Sequence, residues 1–456
     1  MSQCPTTAPN DARVLYVTLG CAKNEVDTDR MRSLLLRAGY GEADEVADAD
    51  VVIVNTCSFL ASATSESIER TLELAEEVSE GVRELPIVMC GCVPSRYGAD
   101  LPEELPEVAA FVRADEEDGI VAVIDTVLGR EVPSVAADAS LVNGGEPLRT
   151  VQGASAYVKI SDGCDRFCAF CAIPYIRGRY ASRPYGEIEA EVRTLAAQGV
   201  REFVLIGQDT GIWGQDLGPD DSLATLLVRL AEVVRPHGGW LRVLYLQPEG
   251  MTDELVSVIR DTPEVLPYID IPIQHCDARV LKSMNRSGSA VEFSELFARL
   301  RREIPGMVLR TTYLTGFPGE TDSEFEDMLG FLEREAFDYT SVFSYSQEEG
   351  TSAAQMDGQV PQDVKLERTQ AAVDLAEQLG FAATAAHVGE VVDVIVDGVD
   401  LDGESPELIG HAWFQAPDCD GAVHIPSGDV KVGDVVRVKL TDAFCYELEG
   451  TIVEEA

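Results

Sequence analysis

A strand, a cysteine and a helix follow one another three times in the first 100 residues, and this repeat limits the fold more than any other feature of the chain. Three short apolar runs predict buried strands: residues 14–19, 50–55 and 85–89. Helical spacing of apolar residues separates them, over residues 26–41 and 65–78. The repeat length of 35 to 36 residues suits a strand–helix–strand unit, so the pattern predicts a parallel α/β sheet.

One cysteine follows each of these strands, and we call Cys21, Cys57 and Cys92 the N-terminal thiol set. Parallel strands place their carboxyl ends at one edge of the sheet, where ligands bind in open α/β folds. We therefore expect the three thiols to converge on a metal site. The alternative is three small apolar residues buried at strand ends. Cys90 lies inside the third strand, so we interpret it as structural, although it is the natural rival to Cys92.

Three further cysteines lie within eight residues of one another in the sequence, and we call Cys164 to Cys171 the Cys loop. Its spacing lets Cys164, Cys168 and Cys171 bind three irons of a 4Fe-4S cluster, whereas an electron-carrying cluster normally has four cysteines. Zinc sites usually add a further cysteine pair or histidines. An open iron can chelate the amino and carboxylate groups of S-adenosylmethionine (SAM). The spacing predicts a catalytic iron–sulfur site, with a zinc knuckle or a chance grouping as the alternative.

Strands and helices alternate through the middle of the chain. Together with the apolar run before Cys164, five further runs predict strands: residues 203–206, 241–246, 268–273, 308–314 and 340–345. Helical patterns lie between them, for example over residues 185–198, 221–234, 291–302 and 321–334. Six such units predict a partial (β/α)6 barrel, with its chemistry at the carboxyl ends of the strands.

Several polar or glycine residues at this predicted rim are candidates for binding SAM. Gln208 and Asp209 follow one strand, and Gln274 follows another. Arg310 and the loop at Gly316 are predicted to approach the SAM carboxylate. Glycines are common at strand ends for steric reasons alone, so each of these signals is weak by itself.

The last 75 residues or so contain short β runs separated by Gly, Pro and Asp: residues 391–396, 412–414, 423–425, 434–440 and 448–453. This pattern predicts a small all-β barrel of the OB type. Residues 381–456 contain 16 acidic and three basic residues, a net charge of −13. An RNA-binding barrel needs a basic face, so the charge argues against tRNA as a partner and favours a basic protein.

Length and composition set wider bounds. A chain of 456 residues suggests about three domains, and we predict them at 1–140, 150–380 and 383–456, with an aperiodic linker over 131–150. The 11 cysteines are odd in number and widely spread, unlike a secreted disulfide framework. Without a membrane-length apolar run or a signal peptide, we expect a cytoplasmic protein with no membrane partner. The net charge of −45 fits either a basic partner or an acid-biased proteome.

Motifs around both cysteine groups resemble the radical-SAM methylthiotransferase family, and the resemblance covers nearly the whole chain. The motifs are Leu19–Asn24, Asn55–Cys57, Gly91–Tyr97, Ser161–Cys164, Ile173–Gly178, Ser182–Pro184, Ile269–Cys276 and Thr315–Glu320. The resemblance implies an N-terminal methylthiotransferase domain, a radical-SAM domain and a C-terminal TRAM domain. Gln208 and Asp209 stand where the superfamily often has Gly-Glu, so the chain departs from the superfamily pattern at these two residues.

The family resemblance also implies the chemistry. The N-terminal thiol set would hold an auxiliary 4Fe-4S cluster, the source of sulfur, beside the SAM-cleaving cluster of the Cys loop. An electron from a flavodoxin or ferredoxin would start formation of a 5′-deoxyadenosyl radical, which abstracts hydrogen from unactivated carbon, and a second SAM would supply the methyl group.

The triplet Gln274-His275-Cys276 resembles the branch that modifies an aspartate β-carbon of the small-subunit ribosomal protein S-twelve. The MiaB branch, which modifies a tRNA adenosine, usually has Gln-Ser-Gly there and is the alternative. A non-enzymatic iron–sulfur electron carrier or sensor is a third hypothesis, and the missing fourth cysteine argues against it.

Overall fold

The computed structural model describes residues 12–80, 85–130, 149, 153–400, 406–426, 428 and 430–453. These residues form two compact units. The first unit comprises the described residues up to 149 together with two short later segments, 163–165 and 171–180. The second unit comprises the remaining described residues. The predicted linker lies outside the described residues, apart from residue 149.

The first unit contains a five-stranded parallel sheet, as the repeat predicts. Its strands are β1 (Arg13–Thr18), β2 (Gly41–Glu42), β3 (Val51–Thr56), β4 (Ile87–Gly91) and β5 (Val108–Arg113), in the order β2-β1-β3-β4-β5. Its helices are α1 (Ala22–Arg37), α2 (Ala61–Glu80), α3 (Cys92–Tyr97), α4 (Leu101–Glu104), α5 (Ile120–Val127) and α6 (Ile173–Ile176). The sequence pattern predicts three of the five strands and misses the edge strands β2 and β5, because β2 has two residues and β5 contains weak strand formers.

The three predicted strands are neighbours in the sheet, and the central one is buried on both faces. Every residue of β3 is buried. Val51 and Ile53 pack into a core with α1 and α5, whereas Val52 and Val54 pack into a second core on the other face. A strand covered by helices on both faces needs a continuous apolar run, which is why β3 is so clear in the sequence.

The second unit is built on a six-stranded parallel sheet, which confirms the predicted partial (β/α)6 architecture. Its chain order is β6 (Ser155–Lys159), β7 (Ser161–Asp162), β8 (Ala181–Ser182), β9 (Glu202–Ile206), β10 (Trp240–Val243), β11 (Val265–Asp270), β12 (Val308–Thr315) and β13 (Tyr339–Ser344). The small strands β7 and β8 pair separately and antiparallel, and the main sheet has the order β13-β12-β11-β10-β9-β6. Successive strands are therefore neighbours, with their carboxyl ends along one rim.

Seven helices of this unit cover the sheet or follow it: α7 (Tyr185–Gln198), α8 (Leu223–Val234), α9 (Asp253–Asp261), α10 (Ala278–Ser283), α11 (Ala290–Glu303), α12 (Asp322–Glu335) and α13 (Gln362–Ala385). Capping boxes at Ser222 and Thr321 fix the starts of α8 and α12. The sequence pattern does not predict α13, because several of its buried positions are small, including Ala372, Ala376 and Gly380. Among the described residues, no helix is both long enough and apolar enough to cross a membrane.

A closed five-stranded barrel ends the chain, as predicted. It consists of β14 (Val391–Asp400), β15 (Glu407–Ala412), β16 (Val423–Pro426), β17 (Val435–Phe444) and β18 (Glu447–Ile452), closed in the order β14-β15-β16-β18-β17. The prediction of a strand over 412–414 is wrong for its last two residues, which form a turn after β15. Phe414 stacks on His387 there, so its aromatic ring packs at a turn rather than on a strand.

Buried polar networks join this barrel to the sheet within the second unit. His411 of β15 lies between Asp397 and Glu202, and Arg242 donates to Glu202 through a 2.6 Å hydrogen bond. Arg242, Glu202 and His411 are almost completely buried, so each charge depends on its partners.

Two glycine-to-alanine substitutions test the packing between α13 and the barrel: one at the contact and one at an open control position. A Cβ on Gly380 would lie 2.1 Å from the ring of Tyr446, so Gly380→Ala should lower the free energy of unfolding by about 1–3 kcal/mol despite the better helix propensity of alanine. Gly330 in α12 has open space at its Cβ, so Gly330→Ala should raise it by about 0.5–1 kcal/mol. Urea unfolding followed by tryptophan fluorescence measures both, since all three tryptophans lie in the second unit. Equal effects at the two positions would contradict the packing argument.

The buried His411 predicts a pH dependence of stability. Burial favours the neutral imidazole, but Glu202 and Asp397 outweigh it and raise the pKa of His411 from 6.5 to about 9. The stabilisation is complete below pH 6.5 and is lost as the pH rises through 9, on the order of 3 kcal/mol in total. His411→Gln should therefore flatten the fall in stability over that range, measured by urea unfolding at several pH values. His424→Gln, at a partly exposed position of the same barrel, is the matched control. An unchanged pH slope in His411→Gln would refute this assignment.

Candidate functional site

The N-terminal thiol set lies at one edge of the first unit's sheet. Cys21 follows β1 and caps the start of α1, Cys57 follows β3, and Cys92 follows β4 as the first residue of α3. These three strands are adjacent and parallel. The topological prediction of convergence therefore holds at the level of the backbone.

The thiols of Cys57 and Cys92 both have raised pKa values, and neighbouring thiols contribute to each shift. Burial raises the pKa of Cys57, and the neighbouring Cys21 raises it further. Burial raises the pKa of Cys92 to about 11, with added repulsion from Cys57 and Cys21 and an opposing effect of Arg177. Cys21 thus lies close enough to raise the pKa of both Cys57 and Cys92, and Cys57 close enough to raise that of Cys92. A positive charge, from iron or a basic side chain, is what would stabilise all three as thiolates.

Two glycines allow the backbone segments that carry the thiols to lie close together. A Cβ on Gly20 would lie 2.6 Å from Cβ of Cys57 and 3.1 Å from its sulfur. Gly91 has φ of +90°, and a Cβ there would lie 2.3 Å from Oδ1 of Asn55. Either substitution would force neighbouring atoms apart, so these two glycines let the backbone close around the thiols.

Cys90 has a different environment from its rival Cys92. It is fully buried in the apolar core with Val88 and Val112, and burial raises its pKa well above the ordinary value. Within the described residues, no three His, Cys, Asp or Glu side chains are already spaced to hold a metal ion. An iron–sulfur cluster places several irons between its ligands and so sets a wider spacing than a single ion.

The two units divide the Cys loop. Cys164 and Cys171 lie in segments of the first unit, where the Cys164 amide donates to the carbonyl of Gly178 at 3.2 Å. Cys168 lies in the second unit, with its sulfur 4.0 Å from Nη1 of Arg286. Asn285 donates to the carbonyls of Arg166 and Phe167, which holds the loop backbone just before Cys168.

Asp209 anchors the same part of the loop. Its Oδ2 accepts a 2.6 Å hydrogen bond from Nε of Arg166, and Glu249 accepts another from the same guanidinium at 3.0 Å. Burial raises the pKa of Asp209, while Arg166 opposes that rise. Asp209 therefore has a role in positioning the loop that the sequence pattern does not predict.

Three buried polar atoms near the carboxyl ends of β6 and β9 have no hydrogen-bond partner among the described residues: Ser161 Oγ, Gln208 Oε1 and Asp209 Oδ1. Leaving such atoms unpaired in the folded protein is costly, so a ligand that pairs with them would bind favourably. Gln208 is held in place because its Nε2 donates to Asp162 at 3.1 Å. These oxygen atoms can accept hydrogen bonds from donor groups such as amines and hydroxyls.

Gln274 and Gly316 also lie at the rim. Gln274 has a left-handed backbone, with φ of +70°, at an isolated bridge to Tyr313. The amide of Gly316 donates to Glu320, and the Lys365 side chain covers the Gly316 Cα so closely that a Cβ would meet it at 2.3 Å.

Arg310 is the one predicted SAM contact that we withdraw. It lies near the start of β12, away from the carboxyl rim, and is bound to Asp270, Asp420 and Ser341. Its charge is thus used to join the sheet to the C-terminal barrel. The prediction missed this because Asp420 is 110 residues away in the sequence.

His275 and Cys276 are both buried beneath the rim. His275 Nδ1 accepts a hydrogen bond from the Asp277 amide at 2.9 Å, and its Nε2 lies 3.5 Å from Glu320. Cys276 belongs to the apolar core, and burial raises its pKa to about 12. These surroundings fit packing better than ligation.

Family models match three parts of the chain. They are described as the radical SAM superfamily over residues 158–332, the uncharacterized protein family UPF0004 over residues 13–113, and the TRAM domain over residues 388–453. Among solved structures, the radical S-adenosylmethionine methyltransferase TsrM from Kitasatospora setae, with cobalamin and a 4Fe-4S cluster bound, has a TM-score of 0.53. It is 16% identical and covers 73% of this chain and 72% of its own, a likeness that shows the fold alone.

Curated relatives match almost the full length. The ribosomal protein uS12 methylthiotransferase RimO of a Synechococcus species is 40% identical, over 99% of this chain and 92% of the relative. The protein of the same name from Symbiobacterium thermophilum is 40% identical, over 100% of this chain and 95% of the relative. The chain therefore belongs to the RimO family of methylthiotransferases, transferases of the radical-SAM superfamily.

Proposed function

We propose that this enzyme adds a methylthio group to the β-carbon of an aspartate in the small-subunit ribosomal protein S-twelve. The observation that carries the proposal is the second thiol set. A radical-SAM enzyme needs only the Cys loop to cleave SAM, whereas Cys21, Cys57 and Cys92 all follow strands at the sheet edge of the first unit and would form a second site. A sulfur-inserting enzyme needs such an additional site, and the names of the relatives point to the same reaction.

Two 4Fe-4S clusters and SAM are the proposed cofactors. Cys164, Cys168 and Cys171 would bind one cluster, and the N-terminal thiol set would bind the other. When bound, and given an electron from a flavodoxin or ferredoxin, these cofactors would supply the reductive cleavage of one SAM, so that methionine is released and the substrate hydrogen ends in 5′-deoxyadenosine. They would also supply sulfur for the new C–S bond, take back one electron as that bond forms, and provide a methyl group from a second SAM.

The chain's own residues would bind SAM, orient the Cys loop and shield the site from water. Arg166, fixed by Asp209 and Glu249, would hold the Cys loop in one conformation. The unpaired oxygens of Ser161 and Gln208 would accept hydrogen bonds from SAM. Gln274 and Gly316 would line the rim beside them. Preorganised contacts of this kind are the protein's contribution when a cofactor performs the difficult step.

A basic protein substrate agrees with the charge of the chain. The C-terminal region, residues 381–456, has a net charge of −13, which repels a phosphate backbone and attracts a basic ribosomal protein. We further propose that the chain acts in the cytoplasm and that its domains are 1–140, 150–380 and 383–456.

The reaction can be tested with reconstituted, reduced protein under anaerobic conditions, supplied with SAM, sulfide and a peptide carrying the aspartate loop of protein S-twelve. We expect a peptide mass increase of about 46 Da, for replacement of hydrogen by a methylthio group. Cys57→Ala and Cys164→Ala should each abolish it. Cys90→Ala is the matched control, since Cys90 belongs to the apolar core of the same unit, and it should retain the product.

The products of this assay separate the alternatives. Formation of 5′-deoxyadenosine without a peptide adduct would refute the ribosomal substrate and favour a tRNA adenosine. Reversible reduction without any cleavage of SAM would refute the enzyme and favour an electron carrier. An adduct that persists in Cys57→Ala would refute the role of the N-terminal thiol set.

Iron content tests the two-cluster assignment independently of activity. The reconstituted chain should contain about eight irons, and the variant with Cys21, Cys57 and Cys92 all changed to Ala should contain about four. Cys90→Ala should again contain about eight. Iron and acid-labile sulfide analysis, with Mössbauer spectra, would measure this. Four irons in the unchanged chain would contradict a second cluster.

A further inference from the structure

An arginine beside the N-terminal thiol set has no place in the mechanism above. Arg177 is the C-cap residue directly after the short helix α6, six residues after Cys171, and its side chain is only 2% exposed. Its Nη1 donates to Asp27 at 2.8 Å. Its Nη2 lies 3.3 Å from Oδ1 of Asn24 and 3.8 Å from the sulfur of Cys92, so the guanidinium points at a thiol of the site.

The partners of Arg177 are themselves fixed to the thiol edge of the sheet. Asn24 lies in the first turn of α1 and donates to the Thr56 carbonyl at 2.8 Å, next to Cys57. Its Oδ1, which accepts from Arg177, is also 3.5 Å from the sulfur of Cys21. One asparagine thus connects the guanidinium to Cys21 and to the backbone beside Cys57, while the guanidinium itself reaches Cys92. The arginine therefore has little freedom to turn away.

A purely structural ion pair would not require this orientation. Asp27 alone balances the charge of the buried guanidinium. The other terminal nitrogen of the guanidinium, Nη2, is nevertheless directed at Asn24 and Cys92. Hydrogen bonds and positive charge at a ligand sulfur stabilise the more negative, reduced state of an iron–sulfur cluster. The geometry therefore favours a role in setting the properties of a cluster bound at these thiols.

We propose that Arg177 is a positioning residue for the auxiliary cluster: held by Asp27 and Asn24, it donates to the Cys92 sulfur and raises the reduction potential of that cluster. This inference rests on the proposed function, because it takes the N-terminal thiol set as the ligands of a cluster.

The test measures the potential of the auxiliary cluster alone. The full chain with Cys164, Cys168 and Cys171 changed to Ala is reconstituted with iron and sulfide, and its midpoint is found by redox titration monitored by electron paramagnetic resonance. Adding Arg177→Met should disfavour reduction about tenfold, a fall of about 59 mV for one electron. Arg177→Lys keeps the charge but loses the fork, and it should give a smaller shift in the same direction.

Arg149→Met is the matched control for the loss of a buried arginine. Arg149 lies in the same unit and pairs with Asp29 at 3.1 Å, as Arg177 pairs with Asp27. It should leave the midpoint unchanged. If Arg177→Met does not fold, as judged by circular dichroism, the Lys variant decides the question.

The outcomes separate this inference from the proposed function. A chain that lacks the Cys loop cysteines and binds no cluster would overturn both. A cluster that forms with the same midpoint in every loaded Arg177 variant would overturn the role of Arg177 and leave the two-cluster assignment intact. An equal shift in Arg149→Met would also overturn it, since the effect would then reflect general loss of buried charge.

Discussion

Parallel pairing of β1, β3 and β4 is the constraint on which the proposed chemistry of the first unit depends. The pairing gives the strands one direction and therefore one carboxyl edge, where Cys21, Cys57 and Cys92 leave the sheet. Each thiol then sits where a strand ends and a helix begins or soon follows, with glycine rather than a larger side chain beside it at two positions. A shift of register by one residue in β4 would exchange Cys92 for an apolar neighbour and turn Cys90 out of its core.

Buried ion pairs hold the parts of the second unit together. Arg310 of β12 and Arg242 of β10 are enclosed, and their partners come both from neighbouring strands and from the C-terminal barrel. Since an unpaired buried charge is costly, separating the barrel from the sheet would expose these arginines or leave them without their ion-pair partners. The carboxyl rim, by contrast, keeps unpaired polar atoms at Ser161, Gln208 and Asp209. The ion pairs and hydrogen bonds of Arg310 and Arg242 thus join the sheet to the barrel, whereas the unpaired atoms at the rim are able to bind a ligand.

The sequence predicts strands and helices with a regular local pattern, and it predicts contacts between residues far apart in the chain less well. The apolar runs of β3 and β9 and the helix at 185–198 are clear because the backbone pattern repeats at short range. Convergence of the N-terminal thiol set follows from topology alone. The partners of Arg310 and Arg177 do not, since Asp420 and Asp27 lie more than 100 residues from them along the chain. Helix α13 is missed because small side chains pack well while leaving a weak amphipathic signal.

The path of the chain between the two units has a consequence for how such proteins diversify. After residue 149 the backbone enters the second unit, returns for 163–165, leaves, and returns again for 171–180, the segment that carries Arg177. Recombination or truncation at a single point after residue 149 would therefore separate Arg177 from Asp27 and Asn24. The first unit therefore cannot be transferred between proteins as one continuous segment of sequence. Its evolution is tied to a ten-residue stretch encoded within the neighbouring domain, and a graft of the N-terminal region onto another radical-SAM scaffold would need both pieces.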